Sequence, residues 1–304
     1  MKEFFIPSKG KGNLHCCKWD DVAEIKGVVQ IVHGIAEHIT RYDHVAKLLN
    51  ENGFVVVGED HMGHGGSIEG GSTQGYFDGG WLNAVDDSYA LCEKTKAEYP
   101  GVPYFIYGHS MGSFLSRTIL YRYPDAGFAG AILSGTGWMP VPVLKVGQAV
   151  CKLEARKVGD AGTSPTVDKL MFGSYTKSYS DVRTPLDWLS RDPAVVDAYI
   201  ADPLSGFSAS VGLSRSMLQG MEMNQKMSNL TKMPKKLPVL FIAGDADPVG
   251  SMGKGVQQTA EAFRKAGLLN VSVRLYPGAR HEVHNETNKE EVLGDVLKFL
   301  NKHV

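Results

Sequence analysis

One stretch constrains this chain more than any other: Tyr104-Phe105-Ile106-Tyr107-Gly108-His109-Ser110-Met111-Gly112-Ser113-Phe114-Leu115. An apolar, aromatic run of strand character breaks at Gly108. Ser110 and Gly112 follow, and then a helix-forming run. A serine between two such glycines predicts a strand, a very tight turn and a helix. The turn forces the serine into a strained backbone conformation, and the flanking glycines leave room for it. Ser110 Oγ is then held at the carboxyl edge of a sheet, beside free N–H groups of a helix. A hydroxyl in that position becomes a nucleophile only if the chain also supplies a base, an acid to orient the base, and donors for an oxyanion.

The surrounding sequence alternates strands and helices. Residues 2–8 and 14–19 read as a hairpin-like start. Gly27-Val28-Val29-Gln30-Ile31-Val32 and Phe54-Val55-Val56-Val57 read as strands buried on both faces, with a helix at 41–51 between them. A helix at 82–98 precedes the serine strand, and Gly130-Ala131-Ile132-Leu133-Ser134 is the next strand. From 137 to 236 no buried parallel strand is legible, and the segment is helical and broken by Pro140, Pro142, Pro165, Pro185, Pro193 and Pro203. Alternation resumes with a strand at Pro238-Val239-Leu240-Phe241-Ile242, a helix at 252–266, a strand at 271–276 and a helix at 288–302. The pattern predicts an α/β protein: a mostly parallel, doubly wound sheet formed by 1–136 and 237–304, with 137–236 inserted as a helical cap.

The base is expected on another loop at the edge that carries Ser110. His281 is best placed, directly after the last strand in Tyr276-Pro277-Gly278-Ala279-Arg280-His281, and His284 lies further along the same loop. The orienting acid should fall between serine and base in chain order. Gly244-Asp245-Ala246-Asp247 offers Asp247, with Asp245 as second choice. The N–H of Met111 is one expected oxyanion donor, and the N–H of Ile35, in the loop after an early strand, is the other.

These pieces together resemble the α/β-hydrolase fold, and within it the monoacylglycerol lipase and lysophospholipase group of the bacterial, serine aminopeptidase S33-like type. The matching segments are His33-Gly34-Ile35-Ala36-Glu37-His38 with Arg41-Tyr42, Asp60-His61-Met62-Gly63-His64-Gly65-Gly66-Ser67, Gly108-His109-Ser110-Met111-Gly112, Gly244-Asp245-Ala246-Asp247, and His281. They run in family order over nearly the whole chain. The chain departs from the family at Met62, where arginine usually precedes Gly-His-Gly. The resemblance implies a catalytic triad of Ser110, Asp247 and His281, an oxyanion hole of Ile35 and Met111, no cofactor, and a small-molecule or single-chain lipid ester as substrate. Three other readings stand beside it: a short-chain carboxylesterase, a proline-type aminopeptidase with Glu154, Asp187 or Asp192 as amine anchor, and a non-catalytic ligand receptor on the same fold.

The cap is rich in methionine. Met217 and Met221, with Trp138 at the cap entrance, are expected to wall an acyl site. The stretch Trp138-Met139-Pro140-Val141-Pro142-Val143-Leu144 is expected to act as a lid and to touch membrane surfaces transiently. His33, His38, His61 and His64 lack acidic or cysteine ligands at metal-site spacing, so they read as turn residues and no metal is expected. Asp245-Ala246-Asp247 fails as a calcium loop at Val249 and Val256. With 32 basic and 33 acidic residues the charge is balanced, which gives no reason to expect a nucleic-acid partner. No apolar run approaches the ~20 residues of a membrane span. No signal-length segment opens the chain, and four cysteines form no disulfide pattern, so a cytoplasmic location is expected. No feature specifies an oligomeric state.

Overall fold

The structure is a computed structural model and describes residues 1–304. β1 (Lys2–Pro7) and β2 (Asn13–Trp19) form an antiparallel hairpin. β3 (Gly27–Val32) leads through a 3-10 turn at Ile39–Tyr42 into α1 (Asp43–Glu51), so the expected helix starts two residues late. β4 (Phe54–Glu59), α2 (Trp81–Glu98), β5 (Tyr104–His109), α3 (Met111–Arg122) and β6 (Gly130–Ser134) follow. Five helices then come without an intervening strand: α4 (Val141–Val158), α5 (Pro165–Phe172), α6 (Pro193–Ala201), α7 (Val211–Met223) and the single turn α8 (Met227–Leu230). β7 (Pro238–Gly244), α9 (Lys254–Lys265), β8 (Asn270–Tyr276) and α10 (Lys289–Lys302) complete the chain.

The eight strands make one sheet in the order β1-β2-β4-β3-β5-β6-β7-β8, parallel from β4 to β8. This is an α/β-hydrolase sheet. β3 to β6 are buried along their whole length, as their unbroken apolar runs require. Val28, Ile106, Leu133 and Phe241 face one core layer, which α2, α3 and α9 cover. Val29, Tyr107, Ile132 and Ile242 face the other, covered by α1 and α10. Winding reverses at β3, which lies between β4 and β5, and Val32 pairs with Gly108. The ends of β3 and β5 therefore emerge side by side at the switch point, where such sheets bind ligands.

Met62 is buried, with its sulfur against Gly10, where any Cβ would strike it. The helical block is seated on the core by polar pins as well as by apolar packing. Thr118 Oγ1 donates to Asn224 Oδ1 at 2.9 Å, and Asn224, capping α7, donates from Nδ2 to Phe114 O at 2.8 Å. Arg117 is wholly buried with no carboxylate partner. It donates to Gly137 O (3.0 Å) and Asn224 O (3.2 Å), tying the chain where it leaves the sheet to the end of α7, and burial lowers its pKa to about 9. No helix is long and apolar enough to cross a membrane.

Candidate active site

Ser110 closes β5 and precedes α3 with φ 52° and ψ −121°, a left-handed conformation that costs a non-glycine residue roughly 1–3 kcal/mol. The surroundings hold it there. Ser110 N donates to Ser134 O at 2.9 Å, and Ser113 Oγ donates to Ser110 O at 2.6 Å. A Cβ at Gly112 would collide with the carbonyl oxygens of Val32 and His33, so only glycine lets α3 start this close to β3.

Asp247 follows β7 and His281 follows β8, on the same edge of the sheet. His281 Nδ1 lies 3.0 Å from Asp247 Oδ2, and Asp247 Oδ1 accepts from Val249 N at 2.9 Å. Donation of Nδ1–H to Asp247 leaves Nε2 as an acceptor. His281 Nε2 is buried without a partner, and His281 and Ser110 line one cavity. Burial alone would lower the His281 pKa, but the charge of Asp247 and the hydrogen bond to it outweigh burial and raise it above the ordinary imidazole value. The second-choice acid, Asp245, is turned away: it is exposed and accepts from Gly278 N at 2.6 Å. His284 stacks on Tyr42 at 4.8 Å, and burial pushes its pKa down to about 3.

Neither Ile35 N nor Met111 N has an acceptor within the chain. Gly34 lies so near the serine that a Cβ there would sit 3.1 Å from Ser110 Cβ. The loop carrying Ile35 is braced by a buried ion network. Glu37 accepts from Gly34 N, from Tyr42 OH at 2.9 Å and from Arg41 at 2.6 Å. Arg41 also grips both oxygens of Glu282 at 2.8 Å. Burial raises the Glu37 pKa. For Glu282 burial pulls the same way, but the Arg41 guanidinium overrides it and holds the carboxyl at about 2. The neighbouring histidines are engaged locally: His33 Nδ1 with Gly34 O (2.7 Å), His61 Nε2 with His33 O (3.0 Å), His64 Nδ1 with Met62 O (2.9 Å), and His38 Nε2 with Asp202 (2.6 Å).

Two arms of the cavity meet at Ser110, Ile35, Phe172 and Trp188. One, of about 180 Å³, is apolar along 14 of its 19 lining residues, among them Trp138, Met217 and Met221. The other, of about 290 Å³, is mixed: most of the surface it exposes is apolar, with Leu186, Leu189 and Phe207 in its wall, but this more polar arm also holds Glu37, Asp168, Tyr199, Ser208, His281 and Glu282. Glu154, Asp187 and Asp192 line neither arm. Glu154 pairs with Lys157, Asp187 accepts from Thr184 Oγ1, and Asp192 caps α6.

The family model described as serine aminopeptidase, S33, a hydrolase family, matches residues 23–288. The chain belongs to this family. A monoacylglycerol lipase of Mycolicibacterium smegmatis is 31% identical over 94% of this chain and 92% of its own length. The mouse monoglyceride lipase is 27% identical over 96% of this chain and 86% of its own. Among solved structures, a thermostable carboxyl esterase from Bacillus coagulans in complex with glycerol superimposes with a TM-score of 0.92 at 32% identity, covering 99% of this chain and 98% of that one.

Sequence reasoning on this S33 hydrolase missed Trp188, whose ring lies 5.0 Å from that of His281 and walls both arms. It also gave no role to Tyr199 or to the Glu37–Arg41–Glu282 network. The one available signal was local: Glu282 is the residue after His281, so its carboxylate had to be neutralised by some cation near the base.

Proposed function

We propose that this hydrolase cleaves single-chain lipid esters, monoacylglycerols foremost, through an acyl-enzyme on Ser110. The observation that carries the reading is the pair of unlike arms meeting at the serine. The apolar arm suits an acyl chain and the polar arm suits the leaving alcohol. No lysine or arginine lines the polar arm, and Asp168 brings a carboxylate without a cationic partner. A phosphate head group is disfavoured there and an uncharged polyol is accepted, which supports a monoacylglycerol over a lysophospholipid.

In this reading His281 Nε2 takes the Ser110 proton as Oγ attacks the ester carbonyl. Asp247 fixes the tautomer of His281 and stabilises the imidazolium. The N–H groups of Ile35 and Met111 bind the oxyanion. His281 then gives its proton to the leaving alcohol and activates water to release the acid. The exposed side chains of Val143, Val146 and Leu153 on α4, interleaved with Lys145, Lys152 and Arg156, support a transient contact of the cap with an anionic lipid surface. Four free, buried thiols support a reduced, cytoplasmic setting.

The test is fatty-acid release from monoacylglycerols of increasing chain length, with a lysophospholipid and a short aryl ester alongside. Turnover that rises with acyl length and exceeds that on the other two is expected. Activity on the short ester alone would reduce the protein to a general esterase. Ser110→Ala should lower kcat by about 10⁴-fold or more, as triad losses do. Near wild-type turnover in that variant would overturn the assignment of the nucleophile.

A further inference from the structure

Ala36 carries backbone strain beside the site. It has φ 55°, one of only four non-glycine residues in the chain with positive φ, and Ser110 is another. An alanine gains nothing from this conformation, because its Cβ crowds the following carbonyl. Something outside the residue must hold it, and two donors from the helical block do so. Tyr199 OH on α6 donates to Ala36 O at 2.7 Å, and Gly206 N donates to the same oxygen at 2.9 Å. Tyr199 is itself fixed, with its ring under the Arg41 guanidinium, 4.7 Å from carbon to centroid. Burial raises its pKa, so the hydroxyl stays protonated as a donor.

The turn Gly34–Glu37 is thus tied at both ends. Gly34 N is held from the core side by Glu37, and Ala36 O from the cap side by Tyr199 and Gly206. Ile35 N lies between them and, like the N–H groups of Ala36 and Glu37, has no acceptor within the chain; of the three it belongs to the residue that lines both arms beside Ser110. We propose that Tyr199 is a positioning residue, which from the cap holds the strained Ala36 carbonyl and thereby aims the Ile35 N–H at the oxyanion. The inference rests on the reading of Ile35 as an oxyanion donor. It ties the seating of segment 199–206 to a competent site: without these two hydrogen bonds Ala36 relaxes to negative φ and Ile35 N–H turns away.

The strain supplies the test. Tyr199 also lines the polar arm, so loss of its hydroxyl could act through the substrate instead. Glycine at position 36 occupies the left-handed region without penalty and needs less outside help. The experiment measures kcat and KM on a short aryl ester for Tyr199→Phe, Ala36→Gly and the double variant, with thermal midpoints to confirm folding. Tyr199→Phe is expected to lower kcat about tenfold, less than outright loss of an oxyanion donor, with KM within about twofold of wild type. Adding Ala36→Gly is expected to restore kcat at least threefold, a coupling that independent sites do not show. A double variant no faster than Tyr199→Phe, or an effect confined to KM, overturns the positioning role. The wild type is also treated with a fluorophosphonate. Ser110 that labels while the rescue fails sinks this inference alone, whereas a wild type that neither labels nor turns over sinks the hydrolase reading beneath it as well.

Discussion

The two arms that meet at Ser110 are built in opposite ways. The apolar arm is walled by side chains that touch only through dispersion, such as Met217, Met221, Leu218 and Trp138. Its shape is set by volume, and methionines adapt to what fills it. The polar arm is walled by groups fixed through charge. Glu37, Arg41 and Glu282 form one buried network, and the backbone of the base loop is stitched to the helical block where Glu282 N donates to Leu189 O at 2.8 Å. One arm can yield to a ligand and the other is held rigid. His281, the proposed base, lines the rigid arm, and Ile35, a proposed oxyanion donor, sits where the two arms meet, so an error of about 1 Å on this side is costly.

Four experiments would break or sharpen that contrast. The largest effect is expected from Arg41→Ala, which leaves two buried carboxylates without a counter-charge. A loss of about 3–5 kcal/mol in urea unfolding is expected, with activity falling alongside it. An unchanged midpoint would mean that the ion network does not brace the polar arm.

Acid should weaken the same side. His33, His64, His109 and His284 are fully buried, and burial pushes their pKa values below 6.5, to about 3 for His64 and His284. In the unfolded chain they take up protons near pH 6.5, which the folded form cannot match. Stability is therefore lost as pH falls below 6.5, by roughly 1.4 kcal/mol per pH unit for each histidine at most. His15 and His281 have raised pKa values, so they gain stability as pH falls from 7 toward 6.5 and offset part of the loss there, but add almost nothing below that. Urea midpoints at pH 7 and pH 5.5 measure it, and equal midpoints would contradict it.

Smaller effects belong to substrate selection, one in each arm. Met221→Trp should shorten the apolar arm and shift the preferred acyl chain down, at about 0.8 kcal/mol per excluded methylene, or roughly fourfold in kcat/KM. A uniform loss at all chain lengths would place Met221 outside the acyl path. Asp168→Lys should raise the ratio of lysophospholipid to monoacylglycerol turnover by a few-fold, the size of an exposed charge contact. No change in the ratio would remove Asp168 from head-group selection.

The strand-end motifs were readable because their constraints are local. A serine between two glycines, an aspartate just past β7 and a histidine just past β8 each follow from a tight connection next to an apolar run. The parallel order of the strands then brings them to one edge. Trp188 was not readable. It lies 93 residues from His281 in the chain, in a segment without regular spacing, and only the folded helical block sets it on the imidazole. Which carboxylate reaches His281 is likewise set by the folded loop, which turns Asp247 to Nδ1 of His281 and Asp245 to Gly278 N.

By itself, then, the chain's sequence determined its alternating core, the interruption by helices, and the loops that carry Ser110, Asp247 and His281, because periodicity and turn chemistry act over a few residues. The tertiary structure alone decided how the helical block seats on the sheet, which walls meet at Ser110, and that an alanine at φ 55° is held by a tyrosine 163 residues away. Those depend on packing between distant segments, and no local rule of spacing encodes them.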